Sequence, residues 1–79
     1  VLDLKDRFNE YVMTGLRTDF GIDRSYVLKD LGEEALIYLE LNIQKYLAQN
    51  LISVQEGRYI LNEKARFRAD GIASDLFWV

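Results

Sequence analysis

The side chains available for chemistry in this sequence are carboxylates, arginines, lysines and tyrosines, because it contains neither cysteine nor histidine. The chain therefore has no thiolate ligand, no disulfide and no side chain that ordinarily titrates near neutral pH. Two carboxylate pairs are candidates for acid–base work, Glu33 with Glu34 and Asp70 with Asp75. Side chains one or five positions apart do not converge on a helix, so we interpret all four as surface charges. The sequence predicts no catalytic residue and no metal site.

Three cations within five residues, Lys64, Arg66 and Arg68, form a second candidate, a site for an anionic ligand. On an α-helix Lys64 and Arg68 share a face, whereas Arg66 points elsewhere. We therefore favour a solvated helix surface, in which Lys64 pairs with Glu63 or Asp70, over an anion site.

The elements that must position these residues follow from the hydrophobic spacing. Apolar residues at helical spacing predict three helices, a change to short β-prone runs predicts a hairpin, and a last helix follows. The predicted helices cover 4–17, 24–31 and 33 to a stop at Asn50. The predicted strands cover 51–54 and 58–61 with a three-residue loop between them, and the last helix runs from 63 onward. Asp3, Asp23 and Asn62 are the predicted N-caps. The fold class is α+β and mainly helical, a winged-helix-like three-helix core with a two-stranded β-hairpin and a C-terminal helix.

Length and charge limit the partners that this chain can have. Its 79 residues are expected to form a single domain over 1–79, and the absence of Met at position 1 suggests a piece excised from a larger protein. The net charge of −3 argues against nucleic acid, which clustered Lys and Arg side chains bind. No apolar run is long enough to cross a membrane, and no signal peptide is recognisable at the start of the chain. We expect a cytoplasmic protein.

Ten aromatic residues are spaced mostly as core residues. Phe77 and Trp78, close to the end of the sequence, have an alternative interpretation as an exposed docking surface.

Two segments carry a family resemblance. Residues 9–18, NEYVMTGLRT, followed by Gly-Ile-Asp at 21–23, resemble the start of the C-terminal domain of the oxygen-independent coproporphyrinogen III oxidase family. Residues 61–72, LNEKARFRADGI, are similar to the Leu-Thr-x-x-Gly segment of that family and the helix that follows it. Asn62 stands where the family usually has Thr, and Ala65 stands where it usually has Gly.

The resemblance implies a parent protein of the radical S-adenosylmethionine class, either a coproporphyrinogen dehydrogenase of haem synthesis or a related haem chaperone. The parent's [4Fe–4S] cluster is held by a three-cysteine motif that this sequence lacks, so the implied role is a non-catalytic accessory domain with no cofactor of its own. This domain would pack on the radical S-adenosylmethionine barrel and shape its substrate opening. The alternative is an independent winged-helix module that binds a protein or, against the charge, DNA.

Under the resemblance, the residues expected to be functional are Gly15 and Arg17. The Arg17 guanidinium is suited to binding a propionate of a tetrapyrrole or an acidic group of the barrel. Its structural alternative is an interaction with the last carbonyls of the first helix. Gly15 costs stability inside a helix, so we expect another backbone or a ligand to approach it closely. Met13 and the tyrosines are the remaining, weaker candidates for a haem ligand.

Overall fold

The first helix begins at the predicted residue and ends one residue before the predicted end. The structure, a computed structural model, describes residues 3–79, and α1 spans Leu4–Leu16. The Asp3 carboxylate accepts a hydrogen bond from the backbone N–H of Asp6 at 2.8 Å, which confirms the predicted N-cap. Phe8, Val12 and Leu16 are buried along one face of α1.

The second helical region contains two kinds of helix. A two-residue strand, β1, covers Ile22–Asp23, α2 covers Arg24–Tyr26, and a π-helical turn follows over Val27–Leu31. Asp23 caps α2 as predicted, because its carboxylate accepts from the N–H of Ser25 at 2.8 Å. Gly32, at a φ of 101°, ends the π-helical turn.

The long helix α3 spans Glu33–Ala48 and carries two acidic residues in its first turn. Its inner face buries Ala35, Leu39, Ile43 and Tyr46. The helix stops before Asn50, whose φ of 61° is left-handed, so Asn50 is confirmed as the end of this element.

The predicted two-stranded hairpin is confirmed, and it is part of a three-stranded sheet whose third strand the sequence did not predict. β2 (Ile52–Gln55) and β3 (Arg58–Leu61) form the antiparallel hairpin, and β1 pairs with the other side of β3, which gives the order β1-β3-β2. Gln55 lies opposite Arg58, so the turn contains two residues, Glu56 and Gly57, and not three. Both have positive φ, 52° and 76°, as the tight turn of a two-residue hairpin requires.

The C-terminal region begins as a 3-10 helix over Glu63–Arg68 and continues as α4 over Ala69–Leu76. Asn62 is not the predicted side-chain cap, because its amide donates to the carbonyl of Asn50 and so ties the end of the sheet to the end of α3. Trp78 is held against α1, since the side chain of Asn9 accepts from its N–H at 2.7 Å and donates to its carbonyl at 3.2 Å.

The buried side chains come from every element except α2 and form one hydrophobic core, in which Phe8, Leu39, Ile43 and Leu76 are fully buried. The α+β, mainly helical fold class is confirmed, and the assignment to the winged helices stays a prediction. Within residues 3–79, every helix is too short or too polar to cross a bilayer.

Candidate functional site

Arg17 lies at the C-terminal end of α1 and reaches across to α4. Its Nε and one terminal nitrogen donate to Oδ1 of Asp70 at 3.2 and 2.6 Å. The backbone N–H of Arg17 caps α1, but its side chain bonds a carboxylate and not the last carbonyls of the helix. Since the side chains of Arg17 and Asp70 are 56% and 75% exposed, water and other anions have access to the pair.

A second ion pair joins the same two parts of the chain. Arg66, in the 3-10 helix, contacts the carboxylate of Asp19, which lies in the loop after α1. The two segments that carry the family resemblance therefore meet at one surface, although they are far apart in sequence. We call the surface formed by Arg17, Asp19, Phe20, Arg66, Phe67 and Asp70 the motif surface.

The predicted arrangement of the basic cluster is wrong at this surface. Residues 63–68 form a 3-10 helix with three residues per turn, so Lys64 and Arg68 do not share a face as they would on an α-helix. Arg66 is instead paired with Asp19, and Asp70, predicted as a partner of Lys64, is paired with Arg17.

Gly15 is buried under the backbone of the chain's own next segment. A Cβ atom at position 15 would lie 2.8 Å from the carbonyl oxygen of Gly21 and 2.9 Å from Cγ1 of Ile22. On its other side Gly21, with a φ of 79°, lies directly against the carbonyl of Tyr59 in β3. The close approach expected at Gly15 therefore comes from residues 21 and 22, and it fixes the loop that presents Asp19 and Phe20.

Most of the aromatic residues lie in the core or pack against it, as expected, but two at the motif surface are exposed. Phe67 is 86% exposed and Phe20 is 56% exposed. Arg58 covers one side of Phe20, with its guanidinium 4.8 Å from the ring centroid, and donates to the Phe20 carbonyl at 2.9 Å. The sequence held a signal for Phe67, which falls off the apolar face of positions 65, 69, 72 and 76.

Phe77 and Trp78, the alternative docking surface, are half-buried and pack against the core. The Trp78 ring stacks on Tyr38 with centroids 5.6 Å apart and meets Phe8 edge-on at 5.7 Å. They belong to the packing between the C-terminal segment, α1 and α3.

A separate polar network lies on the flank of α3. Arg24 Nε and the Tyr59 hydroxyl donate to the same carboxylate oxygen of Glu40, at 2.7 and 2.8 Å. Burial alone would raise the pKa of Glu40, but these two hydrogen bonds outweigh burial and lower that pKa below its usual value of 4.5. Burial, together with the bond to Glu40, raises the pKa of Tyr59 to about 12. The network ties α2 and the sheet to α3.

The candidate carboxylates Asp70 and Asp75 each have a basic partner of their own. Asp70 is paired with Arg17, while Asp75 accepts from Lys45 at 2.5 Å and from the Tyr46 hydroxyl at 2.6 Å. Within this range, no three acidic side chains are close enough together to hold an ion.

Tyr46 is a poor candidate for a haem ligand. Burial, followed by the hydrogen bond to Asp75, raises the pKa of Tyr46 to about 12, which disfavours the phenolate that iron binds. Met13, the other weak candidate, packs partly buried against the core.

Comparison with known proteins gives one match. The family model described as the HemN C-terminal domain matches residues 2–68, which includes all of the first segment and residues 61–68 of the second. None of the curated proteins and none of the solved structures matched the chain. Because the match covers most of the sequence, the chain belongs to the HemN C-terminal domain family.

Proposed function

We propose that this chain is the non-catalytic C-terminal accessory domain of an oxygen-independent coproporphyrinogen III oxidase or of a related haem chaperone. In this proposal it packs on the radical S-adenosylmethionine barrel of the same parent protein in the cytoplasm and shapes the substrate opening. The family match and the absence of cysteine and histidine support this role. The [4Fe–4S] cluster and S-adenosylmethionine would belong to the barrel, because this sequence offers no thiolate to ligate a cluster.

The observation that carries the proposal is the composition of the motif surface. Phe67 and Phe20 are exposed apolar anchors of the kind that contributes most to binding when it fills a partner's pocket. They directly follow Asp19 and Arg66 in the sequence, and at least one member of each of the Arg17–Asp70 and Arg66–Asp19 pairs is largely exposed. Because exposed ion pairs contribute little to stability, either arginine can exchange its aspartate for an acidic group of the barrel at small cost.

The same geometry supports a tetrapyrrole contact at Arg17. The guanidinium fork already binds a carboxylate, and a propionate has the same binding geometry. Titration of this protein with haem or coproporphyrin, followed by NMR chemical shifts, tests this contact. Saturable shifts around Gly15 and Arg17 that disappear in Arg17→Ala would support it, and their absence would contradict it.

The packing proposal is tested in a full-length parent that carries this domain. We expect Phe67→Gln and Arg17→Ala to raise the KM for coproporphyrinogen, or to weaken haem binding in a chaperone, because both side chains leave the interface. Leu41→Gln on α3 is the matched control, since it removes an exposed apolar side chain away from the motif surface. Removal of the whole domain without any change in substrate binding and activity would refute the proposal.

The DNA-binding alternative is disfavoured by α3, which would be the helix that enters the major groove. Its first turn carries Glu33 and Glu34, and its outer face exposes Ile37 and Leu41. A helix that reads bases presents arginine or lysine there, so no nucleic acid is part of the proposed function.

A further inference from the structure

The outer face of α3 is apolar although it points away from the core. Ile37 and Leu41, one helical turn apart, are 51% and 71% exposed. With Glu34, Gln44 and Ala48, which are also exposed, they form a seam whose members are spaced alternately by three and four residues. Such spacing is the pattern by which one helix packs along another. The fold leaves this seam uncovered, because Leu39, Ile43 and Tyr46 on the opposite face supply the core contacts.

Two further exposed apolar residues lie on elements that pack on α3. Arg24 of α2 and Tyr59 of β3 both bond to Glu40, midway along α3. Leu28, about one turn after Arg24, is 47% exposed, and Val54, which lies opposite Tyr59 in the sheet, is 52% exposed. Leu28 belongs to the π-helical turn and Val54 to β2, and both of these elements pack on α3.

The charges along α3 are arranged to fit a second copy of the same helix. The first turn carries Glu33 and Glu34, and the last turn carries Lys45. When two copies pack antiparallel around a two-fold axis midway between Ile37 and Leu41, Glu33 of each copy lies opposite Lys45 of the other, so the acidic turn meets the basic turn. The two helix dipoles also run in opposite directions, which is favourable. A two-fold axis requires a self-complementary surface of this kind.

We propose that the α3 seam is a homodimer interface, in which two copies of this chain pack α3 against α3 in antiparallel orientation. The proposal does not depend on the function of the motif surface, because the contacts of that surface involve α1, the loop after it, the 3-10 helix and α4. One helix pair covers less than the roughly 1,600 Å² of a standard interface, so we expect a weak, concentration-dependent dimer.

Analytical ultracentrifugation of this protein over a range of concentrations is the first test. We expect a monomer–dimer equilibrium. We expect Leu41→Gln to raise the dissociation constant at least about tenfold, because the dimer would no longer bury two leucine side chains. Phe67→Gln, on the motif surface, is the matched control and should leave the constant unchanged. A protein that is monomeric at every concentration would overturn the proposal.

Charge reversal tests the antiparallel arrangement. Glu34→Lys and Lys45→Glu should each weaken self-association, because like charges then meet across the two-fold axis. An equimolar mixture of the two variants should restore the dimer, since opposite charges face each other in the mixed pair. Circular dichroism of each variant checks the fold, because Lys45 also binds Asp75.

Failure of the mixture to associate, while both variants are folded, would contradict the arrangement. Hydrogen exchange in a full-length parent tests whether the catalytic domain, and not a second copy of this chain, covers the α3 seam. If α3 is protected there in a parent that remains monomeric, the catalytic domain covers the seam and the proposal is wrong.

Discussion

The motif surface and the outer face of α3 both expose apolar side chains, but the charges beside them differ. At the motif surface the exposed Phe20 and Phe67 are next in sequence to Asp19 and Arg66, which form one of two ion pairs that join different elements. On α3 the exposed residues Ile37 and Leu41 lie between an acidic and a basic end of one helix. Ion pairs that can exchange their partners are suited to binding a different protein domain. A helix with one acidic and one basic end is suited to packing antiparallel against a second copy of the same helix. The apolar side chains provide the contact area, and the charges select the partner.

The two surfaces also rest on different supports. The motif surface is fixed by backbone packing, where the chain at Gly21 passes between Gly15 and Tyr59 with no room for a side chain. The α3 face is fixed by side-chain hydrogen bonds to Glu40. We therefore expect the motif surface to be most sensitive to substitutions that add bulk. We expect the α3 face to be most sensitive to substitutions that remove a charge.

The largest expected effect comes from Gly15→Ala. The new methyl group would press on the Gly21 carbonyl and on Ile22, which costs up to about 3 kcal/mol, and better helix propensity returns only about 1 kcal/mol of this. We expect a net loss of about 2 kcal/mol in the free energy of unfolding, measured by urea denaturation.

Gly71→Ala is the matched control for this substitution. Gly71 lies in α4, and a Cβ there would meet nothing within 4 Å, so alanine should stabilise the protein by about 0.5–1 kcal/mol. Equal effects at positions 15 and 71 would show that the loop after α1 does not pack on Gly15 as described.

A smaller and pH-dependent effect is expected from Glu40→Gln. Replacing the carboxylate weakens its bonds from Arg24 and Tyr59, and we expect a loss of about 1 kcal/mol at neutral pH. The folded pKa of Glu40 is below its usual value of 4.5, so its charge contributes stability above that pH. This contribution is lost as the pH falls through the lowered pKa.

The difference in unfolding free energy between wild type and Glu40→Gln should therefore shrink on acidification. Urea denaturation at a series of pH values measures it, with Glu63→Gln, which alters an exposed carboxylate of the 3-10 helix, as control. A difference that stays constant from neutral to acidic pH would mean that the Glu40 charge does not support α3.

Elements whose signals are local were predictable from the sequence. Asp3 and the apolar spacing set α1, and two acids with a long apolar stripe set α3. Pairing between distant residues was not predictable in this way. β1 has only two residues and exists because Ile22 and Asp23 pair with Tyr59 and Arg58. The sequence predicts Asn62 as a helix cap, but its side-chain amide donates a hydrogen bond to the Asn50 carbonyl.

The same division applies to the candidate site. Gly15 inside a helical pattern predicted a close approach, and the structure supplies one from Gly21 and Ile22. The partner of Arg17 was missed, because Asp70 is 53 residues away and no local pattern links the two. Whether Gly15 and Arg17 contact a barrel or a tetrapyrrole stays a prediction.

The smallest expected effect is the coupling between Arg17 and Asp70, and it tests whether the motif surface is free to exchange partners. A double-mutant cycle of Arg17→Ala and Asp70→Ala should give a coupling energy below about 0.5 kcal/mol, because both side chains are more than half exposed. Arg24 with Glu40, where the carboxylate is 30% exposed and also binds Tyr59, is the comparison pair and should couple by about 1 kcal/mol. Added salt should weaken the first coupling more than the second. If Arg17 and Asp70 couple as strongly as Arg24 and Glu40, Arg17 cannot exchange Asp70 for an acidic group of a partner at small cost. The ion pairs of the motif surface would then give no reason to assign it a different kind of partner from that of the α3 face.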